Sequence, residues 1–184
     1  MSNFDGELVD ITNEAFWTVS SYKPGYSRDG FIDSNEETFW QSTGPKPHVI
    51  EARFDSIISI KMVSMYLNVD LDNSYTPEKL MIQAGTCYED LVNVINVSLN
   101  EPRGNVNIFL GDETNQVVEA QLLRIWILDN NQGGNDSHLR KLAVFGPSEK
   151  SIFLQNTKPQ TENSSYIRES HKRSKGVDMF NHFR

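Results

Sequence analysis

The stretch that decides the fold runs from residue 48 to residue 69 and begins His48-Val49-Ile50-Glu51-Ala52-Arg53-Phe54. In two runs within it every second residue is apolar, first at Ile50, Ala52 and Phe54 and later at Val63, Met65, Leu67 and Val69. A period of two is the pattern of a β-strand that buries one face. We therefore predict two strands here, His48 to Phe54 and Ile57 to Val69.

Segments of similar composition recur on both sides of this stretch, and breakers such as Pro24-Gly25 and Gly44-Pro45 separate them. Together they give eight predicted strands: Phe16 to Tyr22, His48 to Phe54, Ile57 to Val69, Lys79 to Thr86, Leu91 to Leu99, Val106 to Leu110, Val117 to Leu128 and Leu139 to Phe145. Eight strands is the number found in a double-sheet jelly roll. We predict an all-β jelly-roll β-sandwich, with a short helical turn only at Asn35 to Phe39.

The composition changes after Gly146-Pro147, where Ser, Lys, Gln, Thr and Asn become frequent and apolar residues become sparse. Such segments bury too little apolar surface to fold by themselves. The 184 residues are therefore predicted to form one domain, residues 5–147, followed by a flexible tail, residues 148–184.

Charge and composition exclude several classes of partner and compartment. A net charge of -8 opposes binding to nucleic acid, which is a polyanion. The most apolar stretch, residues 122–128, is too short to span a membrane. A single cysteine and a start without the basic and apolar regions of a secretory signal favour a nuclear or cytosolic protein.

No pattern of catalytic or metal-binding residues stands out. There is no G-x-S-x-G motif, the histidines at positions 48, 138, 171 and 182 are scattered, and Cys87 has no base or basic cluster near it in sequence. Oxygen ligands at Asp33 and Asn35 would suit a calcium ion, but the same residues are also typical of a capped turn. We expect no catalytic residue, no cofactor and no metal.

The most informative motif is Asp33-Ser34-Asn35-Glu36-Glu37-Thr38-Phe39-Trp40-Gln41-Ser42. Asp33, Asn35 and Thr38 can bond to free backbone N–H groups of a turn, and Trp40 can bury a large aromatic surface beneath it. The arrangement Asp-x-Asn-x-x-Thr-x-Trp resembles one in discoidin-like and other galactose-binding-like jelly rolls.

Further motifs make the resemblance more specific. In chain order, residues 10–147 resemble the Doc domain of the anaphase-promoting complex, through Trp17-x-Val19-Ser20-Ser21-x-Lys23-Pro24-Gly25, Pro47-His48, Ser74-Tyr75-Thr76-Pro77 and the loop from Asn130 to Arg140. The resemblance implies a non-catalytic ubiquitin-ligase subunit of the nucleus and cytoplasm. Such a subunit helps a WD-repeat coactivator hold the destruction-box degrons of substrates and raises the processivity of ubiquitination.

The resemblance also implies where degrons bind, at two loops that meet at one end of the sandwich. Gly133 departs from the family pattern, because relatives can carry there an Asn that contacts the degron. The implied degron-binding residues are Ser74, Tyr75, Asn130, Asn131, Gln132, Asn135, Asp136, Ser137, His138 and Arg140.

Each of these loop residues also has a structural interpretation. Asn131 and Asn135 are common turn formers. Asp136 can cap the loop or pair with Arg140, and His138 can be a packed ring.

A second implied contact is the C-terminus, which in the family ends in Ile-Arg and inserts into a tetratricopeptide-repeat scaffold subunit. Here the chain ends Phe183-Arg184, which keeps the charges and changes the apolar side chain. We expect these two residues to dock on the scaffold.

Two rival functions remain at the level of sequence. A carbohydrate-binding module on the same fold would use loop aromatics such as Tyr22, Tyr26 or Tyr75. A glycoside-processing enzyme would need a suitably spaced carboxylate pair, and none of the 25 acidic residues is singled out by spacing.

Overall fold

The computed structural model describes residues 7–111 and 117–148. This part of the chain forms eleven strands. They are β1 (Leu8–Asp10), β2 (Ala15–Val19), β3 (Trp40–Gln41), β4 (His48–Ile60), β5 (Met62–Asn68), β6 (Pro77–Gly85), β7 (Val92–Ser98), β8 (Arg103–Phe109), β9 (Val118–Asn130), β10 (His138–Leu139) and β11 (Lys141–Pro147).

The strands form two main antiparallel sheets. One has five strands in the order β2-β4-β9-β6-β7, and the other has four in the order β1-β11-β5-β8. A small pair, β3 with β10, stands beside them. The apolar faces of the main sheets share one buried core, so the predicted jelly-roll β-sandwich is confirmed.

The core follows the alternation seen in the sequence. Ile50, Ala52 and Phe54 of β4 are buried, and so are Val63, Met65 and Leu67 of β5. Trp40 is completely buried, with its indole N–H donating to the Ser21 carbonyl at 2.9 Å. Its ring meets Phe31 edge-on at a centroid distance of 6.4 Å, which anchors the loops at one end of the sandwich.

Several predicted strand boundaries were wrong. The break expected after Phe54 is instead a β-bulge between Arg53 and Ile58 inside one continuous strand, and the chain turns at Lys61. Arg140 divides the predicted final strand into β10 and β11. The short strands β1 and β3 were missed, because two or three residues are too few to show a period of two.

The helical turn predicted at Asn35 to Phe39 is also wrong. The α-helices are α1 (Asp29–Ile32) and α2 (Val69–Asp72), and 3-10 turns lie at Thr12–Glu14, Asn73–Tyr75 and Asn131–Gly133. Asp33 Oδ1 accepts from the Asn35 N–H at 2.9 Å, and Asn35 Oδ1 accepts from the Glu37 N–H at 3.0 Å. Such side-chain bonds compete with helical ones.

The strand registers place three connections at one end of the sandwich, before β3, between β5 and β6, and between β9 and β10. We call this the loop end; Ser148, after β11, lies at the opposite end. Apart from Ser148, the predicted tail, with its docking residues Phe183 and Arg184, lies outside the described residues. Among the described residues, no helix is long and apolar enough to cross a membrane.

Replacing Trp40 with alanine should lower the free energy of unfolding by about 3–5 kcal/mol, because it empties a fully buried site and orphans the Ser21 carbonyl. Chemical denaturation measures the change. Ile57→Ala, at a side chain 56% exposed, serves as the control and should shift stability by about 0.5 kcal/mol or less. Equal losses in both variants would contradict the assigned core.

Candidate functional site

Two loops of the loop end touch each other directly. The Asn131 N–H donates to the Thr76 carbonyl at 2.8 Å, and the Asn131 side-chain amide donates to the Asn73 carbonyl at 3.3 Å. A Cβ atom added at Gly134 would lie 1.9 Å from the Ser74 carbonyl oxygen. Only glycine allows this close approach, so the two segments expected to meet do so.

The buried side chain of Asn130 holds the longer loop from inside. Its amide group donates to the carbonyls of Gly134 at 3.0 Å and Asp136 at 2.9 Å, and its oxygen accepts from the Ser137 hydroxyl at 2.9 Å. The ring of His48 adds a contact at 2.7 Å to the Asn135 carbonyl. These bonds specify one loop conformation, since each group would be unsatisfied in another.

An ionic cluster centred on Asp72 lies beneath the loops. Arg140 donates from Nε to one carboxylate oxygen of Asp72 at 2.9 Å and from Nη2 to the other at 2.8 Å. His138 Nδ1 lies 2.9 Å from Asp72 Oδ1, and Arg140 Nη1 donates to the Glu36 carbonyl at 2.9 Å. The cluster therefore ties together three segments that are far apart in sequence.

The protonation of this cluster follows from its contacts. Burial raises the pKa of Asp72, but hydrogen bonds from His138 and Arg140 outweigh it and hold that pKa below its usual range. The hydrogen bonds to Asp72 raise the pKa of Arg140 above its already high value. The pair is thus fully ionised at neutral pH.

Four rings form a column across the loop end. Tyr26 stacks on Phe39 with centroids 4.9 Å apart, Phe39 lies 4.3 Å from the ring of His138, and His138 stacks on Tyr75 at 4.3 Å. The Arg140 guanidinium lies 5.1 Å from the Phe39 ring centre. His138 is thus held on both faces, as the packed-ring interpretation expects.

The predicted site residues separate by exposure. Asn130, Ser137 and Arg140 are buried, so they support the loop from inside, and direct contact with a ligand is not available to their side chains. Arg140 pairs with Asp72 rather than with Asp136. The remaining seven reach the surface at least in part, and they are Ser74, Tyr75, Asn131, Gln132, Asn135, Asp136 and His138.

Sequence reasoning missed three contributors to this site. Asp72 carried no recognisable signal, because its partners lie 66 and 68 residues away in the chain. Phe39 lies within the motif that begins at Asp33, and its position next to Trp40 was the one feature of the sequence that could have indicated its role. Tyr26 was considered only as a sugar-binding ring.

The described residues contain no group of three or more His, Cys, Asp or Glu side chains arranged to hold a metal ion. The carboxylate of Asp33 accepts from the Asn35 N–H and from the Thr38 hydroxyl. These are the bonds of a turn capped by its own side chains. Cys87 is exposed on the turn after β6.

A family model described as "Anaphase-promoting complex, subunit 10" matches residues 3–171. The chain belongs to this family. A Schizosaccharomyces pombe member is 46% identical over 141 residues, covering 76% of this chain and 75% of the relative. A human member is 33% identical over 146 residues, covering 79% of each chain. Both relatives are named as subunit 10 of the anaphase-promoting complex.

The family's fold also occurs in solved structures of low sequence identity. The family 32 CBM of C. perfringens NanJ, solved in complex with galactose, superposes with a TM-score of 0.64 at 14% identity. The match covers 76% of this chain and 99% of that one. This similarity supports the galactose-binding-like jelly roll.

Asp72→Ala should cost about 3–5 kcal/mol of folding stability, because it leaves the buried Arg140 guanidinium without its partner. Adding Arg140→Met should restore much of the loss, which denaturant unfolding measures. Asp70→Ala, on the same helix, breaks an exposed pair with Arg103 and should cost under about 1 kcal/mol. A double variant no more stable than Asp72→Ala would contradict this assignment.

The carboxylate of Asp129, which directly precedes Asn130, makes folding stability depend on pH in a way that can be tested. Hydrogen bonds from Lys46 and then Lys79 lower its pKa from 3.8 to about 2. Between these values the unfolded chain binds the extra proton, so the stabilisation by Asp129 is present above about pH 4 and lost as the pH falls towards 2. The stability difference between wild type and Asp129→Asn should shrink over that interval. A constant difference would contradict the lowered pKa.

Proposed function

We propose that this subunit of the anaphase-promoting complex performs no chemistry and instead helps the WD-repeat coactivator hold destruction-box degrons, which raises the processivity of ubiquitination. The observation that carries the proposal is the loop end, where polar side chains are exposed on loops held from beneath by Asn130 and the Asp72 cluster. Surfaces that recognise peptides need such groups fixed before binding.

The exposed chemistry of these loops suits an extended peptide. The side chains of Asn131, Gln132 and Asn135 offer both donors and acceptors, which an unpaired peptide backbone requires. Tyr75, 38% exposed and backed by His138, adds a flat apolar surface. Each hydrogen bond contributes about 1 kcal/mol net, so affinity on its own is modest.

Modest affinity is sufficient when the degron is shared with a coactivator. Two weak sites on one assembly act at a high effective concentration for each other, which lengthens the time that a substrate stays bound. A longer stay allows more ubiquitin transfers per encounter. We also propose that Phe183 and Arg184 dock on a tetratricopeptide-repeat scaffold subunit. We propose as well that the protein functions in the nucleus and the cytoplasm.

Sugar binding is the second candidate, favoured by the exposed ring of Tyr22 near the same end. Tyr26 is poorly suited to it, because Phe39 stacks on its ring and the Lys23 ammonium lies 5.7 Å from its centre. A glycan array with the purified chain tests this candidate. Binding abolished by Tyr22→Ala would support it.

The main test is ubiquitination of a destruction-box substrate by the ligase depleted of this chain and then supplemented. The triple variant Tyr75→Ala, Gln132→Ala and Asn135→Ala removes two exposed amide side chains and the Tyr75 ring that stacks on His138, and it leaves Asn130 and the Asp72–Arg140 pair in place. It should therefore enter the complex and give shorter ubiquitin chains than wild type. About 3 kcal/mol of contacts corresponds to a degron affinity reduced roughly a hundredfold.

The matched control is Asn100→Ala, Asn105→Ala and Phe109→Ala, which removes one exposed aromatic and two exposed amide side chains beside the four-stranded sheet. It should restore long chains as wild type does. If the loop variant also restores them, or if the control fails equally, the loops are not the degron site.

A further inference from the structure

A second organised surface lies on the outer face of the five-stranded sheet. Guanidinium groups and aromatic rings alternate across it in the order Arg28, Phe16, Arg53, Tyr88, Arg124 and Trp126, which we call the arginine–aromatic ladder. Arg28 lies 5.1 Å from the ring centre of Phe16, and Arg53 lies 5.2 Å from that of Tyr88. Arg124 lies 4.9 Å from Tyr88 and 5.6 Å from Trp126.

Pairing between strands β2 and β4 joins the first pair of the ladder, Arg28 with Phe16, to the second pair, Arg53 with Tyr88. Phe16 of β2 is the register partner of Arg53 on β4, so their side chains stand side by side on the same face. Tyr88, from the turn between β6 and β7, covers the middle of the sheet.

The ladder is held rigidly in place. Glu51 accepts from Arg124 Nε at 2.7 Å through one carboxylate oxygen and from the Tyr88 hydroxyl at 2.7 Å through the other. The Trp126 indole N–H donates to the Gln83 side chain at 2.7 Å. Side chains that are already ordered lose little entropy when a partner binds.

Charge on the ladder is unevenly satisfied. Arg124 forms an ion pair with Glu51, and the Nε atom of Arg28 lies 3.9 Å from Oδ1 of Asp29. Arg53 has no ion pair among residues 7–111 and 117–148. Beside it, the Phe16 ring is 62% exposed and the Tyr88 ring 50% exposed. An unpaired guanidinium next to partly exposed aromatic rings offers one charge and one apolar contact together.

This combination matches the centres of protein interfaces, where Trp, Tyr and Arg carry most of the binding energy. We propose that the arginine–aromatic ladder docks a segment of another subunit of the complex, which pairs a carboxylate with Arg53 and lays an apolar side chain on Phe16 and Tyr88. The proposal goes beyond degron binding, since the ladder lies on a sheet face rather than on the loops.

The same charges disfavour the other occupants. A two-fold contact between copies of this chain would use the same patch on both and would bury two unpaired Arg53 guanidinium groups in one interface. A nucleic acid would need several unpaired cations, and the chain as a whole carries a charge of -8. A protein segment with a single carboxylate requires only the one unpaired guanidinium of Arg53.

The first test places a photoreactive phenylalanine analogue at Phe16 in the full chain, assembled into the complex from the same organism. We expect a crosslink to one other subunit, at a peptide that holds a carboxylate and an apolar residue. The analogue at Phe109, exposed on the opposite sheet, is the matched control and should not reach that peptide. Crosslinks from Phe16 to a second copy, to nucleic acid or to nothing would overturn the proposal.

The second test reverses the charge of Arg53, which is exposed and buries no group of the core. Arg53→Glu should weaken retention on the complex about tenfold, and Arg53→Gln should do so less. Changing the crosslinked carboxylate of the partner to lysine should restore retention of Arg53→Glu. Rescue distinguishes docking from a folding defect, and unchanged retention of Arg53→Glu, or no rescue, would overturn the proposal.

The length of the ubiquitin chains formed on destruction-box substrates, normalised to the amount of variant retained, should stay as in wild type. This readout separates the arginine–aromatic ladder from the loop end.

Discussion

The carboxylate of Asp72 is the group on which the loop end depends. It is only 4% exposed, and a buried charge is tolerated only when partners satisfy it. Arg140 and His138 supply those partners from the segment that follows the long loop. Arg140 also reaches the Glu36 carbonyl, so a single ionic cluster fixes the relative positions of all three connections.

This cluster explains why the surface above it can be polar and still be ordered. Replacing a buried ion pair with apolar residues often costs no stability, so its role here is better understood as specifying one arrangement. The aromatic column from Tyr26 to Tyr75 lies on the same cluster through His138 and Phe39. The loops therefore present fixed side chains, as the proposed degron binding requires.

Much of the fold could be predicted because its signal is local. The alternation in the stretch after His48 reports which face of a strand is buried, and that depends on nearest neighbours only. The bulge after Arg53 and the turn at Lys61 depend on the paired strand β9 and gave no such signal. The helical turn expected at Asn35 to Phe39 does not form, because the side chains of Asp33 and Asn35 accept the hydrogen bonds of backbone N–H groups there.

The candidate site was predictable as a pair of loops but not as a set of contacts. Polar loop residues look alike in sequence, so the buried Asn130 and Ser137 could not be told from the exposed Gln132 and Asn135. Asp136, close in sequence, was one candidate partner for Arg140, whereas the structure pairs Arg140 with Asp72 across 68 residues. Contacts of that range depend on the tertiary fold.

Degron binding at the loop end is tested most directly by a nuclear magnetic resonance titration of the isotope-labelled chain with a destruction-box peptide at millimolar concentration. We expect chemical-shift changes confined to the amides of residues 73–75 and 131–138, with the outer sheet faces unchanged. A scrambled peptide should leave the same amides unmoved. Shifts centred on either sheet face, or no shifts at saturating peptide, would contradict a degron surface at the loop end.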